Sequence, residues 1–143
     1  MSAAVQAFEG RCHCGALGFS FHTAQPPARW NVRACQCTFC RAHGARTVSD
    51  PSGSVTFRFA EGATLRRYRF GTRSSEFLIC GDCGVYVAAL LTSSKGLFAT
   101  LNINTMRASL NAPEAVPVSY DDESVEQRRS RREQRWTPVA EAI

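Results

Sequence analysis

The chain has 143 residues, a formal net charge of +5 and an apolar fraction of 44%, which predicts one globular domain that buries a core without covalent cross-links. No run of about 18 apolar residues is present, which excludes a membrane-spanning helix. Residues 1–10 lack the charged start and apolar stretch of a secretory signal, so we expect a soluble, cytoplasmic protein.

Most of the chain is predicted to form β-strands, because apolar and polar residues alternate over short segments. The predicted strands are 17–21, 55–59, 65–70, 77–79, 85–91 and 97–103. Segment 85–91 is the longest apolar run, which is typical of a buried strand. Pro26-Pro27, Asp50-Pro51 and Gly53 indicate turns between strands.

Two segments are candidates for helices. Residues 106–110 predict a short one. Residues 122–132 begin with acidic residues and end with arginines, as the helix dipole favours, but Val125 is nearly alone on the apolar face, so an extended tail fits the same segment. We therefore predict a mainly β domain over 1–143 with little helix and with metal-binding turns at hairpin tips.

All seven cysteines lie in three short clusters. The clusters are Cys12-His13-Cys14-Gly15, Cys35-Gln36-Cys37-Thr38-Phe39-Cys40 and Cys80-Gly81-Asp82-Cys83-Gly84. Zn²⁺ takes four ligands in a tetrahedron, and two nearby cysteines can face one ion across a tight turn. A glycine after the second cysteine allows the positive φ that such a turn needs.

Two Zn²⁺ ions per chain would use all seven thiolates if the cysteines divide into four and three. Cys12 and Cys14 with Cys80 and Cys83 would form a closed site, and closed sites are structural. The remaining three cysteines, here called the trio, would leave a fourth position open, which is typical of catalytic zinc. The trio consists of Cys35, Cys37 and Cys40.

Other interpretations of the cysteines stay open at this stage. Seven cysteines can be buried packing residues, or they can form disulfides, although a reducing compartment and an odd number disfavour this. His43 can close the trio as a second structural site. Cys80 and Cys83 alone can form a redox pair, although the expected βαβ context is missing. His13 and His22 are interpreted as surface or core residues.

The three clusters together resemble the glutathione-dependent formaldehyde-activating enzyme family, which includes the centromere-protein-V-like proteins. The resemblance covers about residues 8–105 and leaves out the arginine-rich segment 120–143. The matching motifs are Gly10-x-Cys12-x-Cys14-Gly15-x-Leu17-x-Phe19, Cys35-x-Cys37-x-x-Cys40-Arg41 with Gly44-Ala45, and Cys80-x-x-Cys83-Gly84.

The resemblance implies an Mss4-like zinc-binding β-sheet fold with two zincs, divided between a structural group of four cysteines and the catalytic trio. It also implies a carbon–sulfur lyase that joins formaldehyde and glutathione into S-hydroxymethylglutathione, or reverses that step. Two positions depart from the family pattern: Gln36 stands where the family often has His, and Ile79 where it often has Phe. A missing imidazole beside the trio would remove a proton carrier.

We expect the ligand to be a small-molecule thiol or thiol–aldehyde adduct. Arg41, Thr38 and Gln36 flank the trio and are the predicted substrate-binding residues, with arginine suited to carboxylates and Thr38 to a cysteine sulfur. Further arginine candidates are Arg46, Arg66, Arg67 and Arg73.

The alternative function is a zinc-stabilised module that binds nucleic acid or an acidic protein partner. Arginines over 128–135 favour it. Interleaved glutamates and the absence of clustered exposed aromatics for base stacking make nucleic acid a weaker candidate, and seven thiolates with two Zn²⁺ would cancel most of the +5 charge. A zinc-stabilised scaffold without chemistry is a third possibility.

Overall fold

The computed structural model describes residues 4–141 and 143. Within this part of the chain eleven strands and two α-helices form a mainly β protein, as the sequence predicts. The elements are β1 Gln6–Arg11, β2 Leu17–Thr23, β3 Arg33–Cys35, α1 Thr38–His43, β4 Thr47–Val48, β5 Ser54–Phe59, β6 Leu65–Tyr68, β7 Glu76–Cys80, β8 Tyr86–Ser93, β9 Gly96–Asn102, β10 Val116–Val118, α2 Val125–Arg135 and β11 Thr137–Pro138. Neither helix has the length and apolar character needed to span a membrane.

The strands form two sheets. One has three antiparallel strands in the order β1-β2-β5, and the other has eight, in the order β10-β3-β4-β9-β8-β7-β6 with β11 beside β9. The β10–β3 pair is parallel, whereas the other pairs are antiparallel. β10 therefore reaches the edge of the large sheet next to the strand that carries Cys35.

Strand β8 is buried on both faces, which explains why its sequence is continuously apolar instead of alternating. Val87 and Leu90 pack into the main core, which also contains Phe19 and Phe21 of the small sheet. Tyr86, Ala89 and Leu91 pack into a second apolar cluster together with Cys40 and Trp136. The large sheet thus separates a core between the sheets from a smaller apolar layer beneath α1 and α2.

The C-terminal segment is integrated into the fold. After α2, the strand β11 pairs with β9, and Thr137 is fully buried. The N–H of Val139 donates to Leu97 O at 2.9 Å, and the N–H of Ala140 donates to Val55 O at 2.8 Å. Because these bonds reach both sheets, they fix the end of α2 against the body of the protein.

The structure decides the open questions about helices. Residues 122–132 were compatible with a helix or a tail, and a helix forms, starting at a capping box in which Ser124 and Gln127 bond each other's backbone N–H groups. The predicted helix at 106–110 is wrong. A short 3-10 helix, Ile103–Thr105, lies before it, and Met106 leaves that turn to pack into the main core.

Gly10 is required by the close approach of β1 to the ring of Phe19, which is fully buried on β2. A Cβ at position 10 would overlap that ring. We therefore expect Gly10→Ala to lower the free energy of unfolding by about 1–3 kcal/mol, the usual cost of overpacking, as measured by urea denaturation. Gln6→Ala, at an exposed position on the same strand, should change it by less than about 0.5 kcal/mol. If Gly10→Ala and Gln6→Ala unfold at the same urea concentration, the steric argument is contradicted.

Candidate metal centres and the adjoining cavity

Four cysteines from two hairpin tips form one cluster, called here the four-cysteine cluster. Cys12 and Cys14 lie between β1 and β2 of the small sheet, Cys80 ends β7 of the large sheet, and Cys83 lies between β7 and β8. Their Sγ atoms all lie within 4.8 Å of one another. The grouping is the one that the spacing predicts, and it connects the two sheets at one end.

The spacing of these sulfurs fits a tetrahedral cation. Cys14 Sγ lies 3.7 Å from Cys12 Sγ and 3.6 Å from Cys80 Sγ, and a tetrahedron with Zn–S bonds of about 2.3 Å places its sulfurs about 3.8 Å apart. The backbone N–H of Leu17 donates to Cys12 Sγ at 3.3 Å, and that of Cys83 donates to Cys80 Sγ at 3.4 Å. Such bonds stabilise negative charge on the sulfurs.

The turns that carry these cysteines depend on glycine. Gly15 and Gly84 follow the second cysteine of each pair and have φ values of +86° and +81°, a region that residues with a Cβ rarely adopt. Gly84 N–H donates to Cys80 O at 2.9 Å, and Gly15 N–H donates to Cys12 O at 3.2 Å. The chain therefore reverses within each pair, which brings its sulfurs to one side.

The trio lies on the other face of the large sheet, where β3 leads into α1. Cys35 ends β3, and Cys37 caps α1 by accepting a hydrogen bond at 3.4 Å from the N–H of Cys40. The three Sγ atoms lie within 4.8 Å of one another, and no fourth ligand from the described residues joins them. His43 lies outside this group and packs against Phe39, with ring centres 4.5 Å apart.

Without a cation, ionisation of one thiol of the trio opposes ionisation of its neighbours. Hydrogen bonds with Cys35 and Cys37, and then burial, raise the pKa of Cys40 far above its ordinary value. Hydrogen bonds from Cys35 and Cys40 lower the pKa of Cys37 to about 2. One thiol is thus favoured as an anion at the expense of its neighbour. A thiophilic dication resolves this conflict, because metal-bound cysteines are deprotonated together.

The trio lines a cavity of about 440 Å³. Phe77, Tyr86 and Trp136 form apolar parts of its wall. Burial, and then the nearby thiol groups of the trio, raise the pKa of Tyr86 well above its ordinary value. The phenol therefore keeps its proton near neutral pH.

Helix α2 contributes a basic wall to the same cavity through Arg128, Arg131 and Arg132. Arg131 donates to both oxygens of Glu123, at 2.8 and 3.0 Å, and lies over the ring of Tyr120, 3.5 Å from its centre. The side chain of Glu133 accepts a hydrogen bond from Ser93 of β8 at 2.6 Å, which attaches α2 to the sheet.

The residues predicted to bind substrate are not all brought to the cavity. Gln36 and Thr38 are exposed and line it, whereas Arg41 is exposed and lies outside its lining. The Gln36 amide donates to Ala34 O at 2.8 Å. The further arginine candidates also lie outside the lining. They are Arg46, Arg66, Arg67 and Arg73.

Sequence reasoning missed the residues that face the trio from α2 and β8. The sequence pattern places Tyr86 only in a buried strand, and the arginines over 128–135 favour a surface for nucleic acid or an acidic partner. A signal was present, since Arg128, Arg131 and Arg132 are spaced three and four residues apart and so share one face of a helix.

Comparison with known proteins places these features in context. The profile of the family described as glutathione-dependent formaldehyde-activating enzyme matches residues 7–120. The crystal structure of a Rhodobacter sphaeroides protein is similar, with 27% sequence identity and a TM-score of 0.57, over 77% of this chain and 99% of that chain. No match was found among curated proteins.

The two clusters should differ in what they contribute to folding. We expect two equivalents of zinc per chain in protein purified under reducing conditions, and one equivalent in Cys40→Ser, with an unchanged circular dichroism spectrum. Cys83→Ser should instead lower the melting temperature sharply, because the four-cysteine cluster connects the sheets and a structural zinc site contributes directly to folding. Global unfolding of Cys40→Ser would show that the trio is structural. If the unmodified protein binds only one equivalent of zinc, one of the two expected zinc sites does not exist.

Proposed function

This chain belongs to the glutathione-dependent formaldehyde-activating enzyme family, and we propose on that basis that it is a zinc-dependent carbon–sulfur lyase acting on a thiol–aldehyde adduct such as S-hydroxymethylglutathione. The observation that carries the proposal is the difference between the two clusters. Four cysteines complete one ligand set between the sheets, whereas the trio offers three sulfurs beside a cavity and has no fourth ligand from the described residues.

The trio would hold the catalytic zinc and the four-cysteine cluster the structural one. A bound zinc ion would supply Lewis acidity that favours loss of the thiol proton and polarises an aldehyde oxygen. In the forward reaction an S–C bond forms between the thiol sulfur and the aldehyde carbon, and the thiol proton ends on the former carbonyl oxygen. The reverse reaction breaks the same bond.

Residues around the trio supply the remaining requirements. Tyr86 is proposed to donate a hydrogen bond from its protonated hydroxyl to the substrate oxygen. The Gln36 amide can also donate a hydrogen bond, but it does not titrate near neutral pH and so cannot replace an imidazole as a proton carrier. Gln36 and Thr38 are proposed to contact the substrate at the exposed side of the cavity. Because Arg41 lies outside the lining, we assign the binding of substrate anions to α2 instead.

The alternative, a module for nucleic acid or an acidic partner, has less support. Arg128, Arg131 and Arg132 line the cavity, so only Arg129 and Arg135 of the arginine-rich stretch remain exposed. Two exposed cations with acidic neighbours make a weak phosphate-binding surface. Binding to DNA or RNA that falls steeply with salt concentration would favour the alternative.

The lyase proposal is tested by NMR exchange spectroscopy of the equilibrium between formaldehyde, glutathione and their adduct. Zinc-loaded protein should accelerate exchange above the uncatalysed rate. Cys40→Ser should lower the catalysed rate at least about 100-fold, because even changes around metal ligands cost 10–100-fold. Arg129→Gln, on an exposed position, should keep the full rate. Exchange at the uncatalysed rate with zinc-loaded protein, or full activity of Cys40→Ser, would contradict the proposal.

A further inference from the structure

The arginines of α2 are unequally matched by carboxylates. Glu123 accepts two hydrogen bonds from Arg131 and lies 3.8 Å from Arg128 Nε, too far for a hydrogen bond. Arg128 donates instead to the backbone oxygen of Tyr120 at 2.9 Å. The Glu123 carboxylate thus lies near two guanidinium groups on this face but forms hydrogen bonds with only one of them, that of Arg131.

Arg132 has no carboxylate partner among residues 4–141 and 143, where every ion pair within 4.0 Å involves other residues. Its Nη1 donates to Ser74 Oγ at 3.0 Å, and its guanidinium carbon lies 4.9 Å from the centre of the Trp136 ring. The Nε atoms of Arg132 and Arg128 are buried and have no acceptor among the residues that the structure describes. A cation that is partly withdrawn from water and has no counter-ion is costly unless something else neutralises it.

The Arg132 guanidinium stays positively charged at neutral pH although it is partly withdrawn from water. Desolvation, followed by repulsion from Arg131 and Arg128, lowers the pKa of Arg132 to about 10, so the guanidinium stays protonated. Four arginines line the cavity, whereas Asp121 is the one acidic residue in the described lining. The fourth arginine is Arg33, which donates to the Tyr120 hydroxyl at 3.2 Å. The cavity wall is therefore suited to an anion.

We propose that Arg132, together with Arg128, forms a subsite that binds a carboxylate of the substrate while its sulfur reacts beside the trio. The proposal rests on the lyase function and narrows the substrate class to thiols that carry a carboxylate. A guanidinium presents a planar fork of donors, which can bind the two oxygens of a carboxylate through two parallel hydrogen bonds. Helix α2 lies outside the family match at 7–120, so this subsite comes from a separate part of the chain.

A simpler role for the arginines makes a different prediction. Three thiolates and one dication leave a net negative charge on the trio, and the arginines would then only offset it. In that case the affinity for a ligand would not depend on the ligand's carboxylates, since no bond to them would exist.

The test measures binding of S-methylglutathione to the zinc-loaded full chain by isothermal titration calorimetry. This probe keeps both carboxylates and has no free thiol. Its diethyl ester, which lacks the two carboxylate charges, should bind at least about tenfold more weakly, because the hydrogen bonds between the guanidinium and a charged carboxylate are lost. Equal affinities of acid and ester would overturn the subsite, and this comparison needs no variant.

Variants then assign the effect to α2. Arg132→Gln should remove the preference for the acid over the ester, whereas Arg132→Lys, which keeps the charge and loses the fork, should retain part of it. Arg129→Gln is the matched control, because Arg129 is exposed on the same helix and lies outside the cavity lining. An undiminished preference in folded Arg132→Gln would overturn the assignment, with circular dichroism confirming the fold.

The exchange experiment on formaldehyde and glutathione separates this proposal from the lyase function. Catalysed exchange without any preference for the acid would overturn the subsite and leave the lyase function intact. A preference for the acid that depends on Arg132, without catalysed exchange, would overturn the lyase function and retain the anion-binding subsite.

Discussion

The convergence of sulfur atoms from two different sheets is the constraint on which the rest of the structure depends. Cys14 comes from the tip of the β1–β2 hairpin and Cys80 from the end of β7, yet their sulfurs lie 3.6 Å apart. Neutral thiols gain little from such contacts, and thiolates at this distance repel. A shared cation would make the arrangement favourable, so the sheets pack at this end in a way that is suited to metal binding.

The large sheet gives the two clusters different surroundings. Cys12 and Cys80 are fully buried in the main core between the sheets, where Cys14 and Cys83 complete a group of four sulfurs. Cys40 belongs to the apolar layer on the other face, which α1 and α2 cover only partly and which contains the cavity. β8 is buried on both faces, and it lies between the core that contains Cys12 and Cys80 on one side and the apolar layer with Cys40 on the other.

The division of the cysteines and the long strands could be predicted from the sequence, because the spacing of ligands and the alternation of apolar and polar residues are local properties. The short strands could not be predicted in this way. β3 and β10 have three residues each and pair in parallel although they lie about 80 residues apart, so neither carries a periodic pattern of its own. Helix α1 begins at a cysteine that acts as its N-cap, a residue outside the usual set of Ser, Thr, Asp and Asn.

Helix α2 was ambiguous in the sequence because the face that packs on the protein is rich in arginine. Trp136 anchors its end in the apolar layer, and Arg132 lies against that ring. Apolar side chains of similar volume would pack on the sheet without the desolvation cost of guanidinium groups, and such replacements are often neutral or stabilising. The fold alone therefore does not require these charges. Their position in a cavity that the three sulfurs of the trio also line is what the proposed carboxylate subsite would account for.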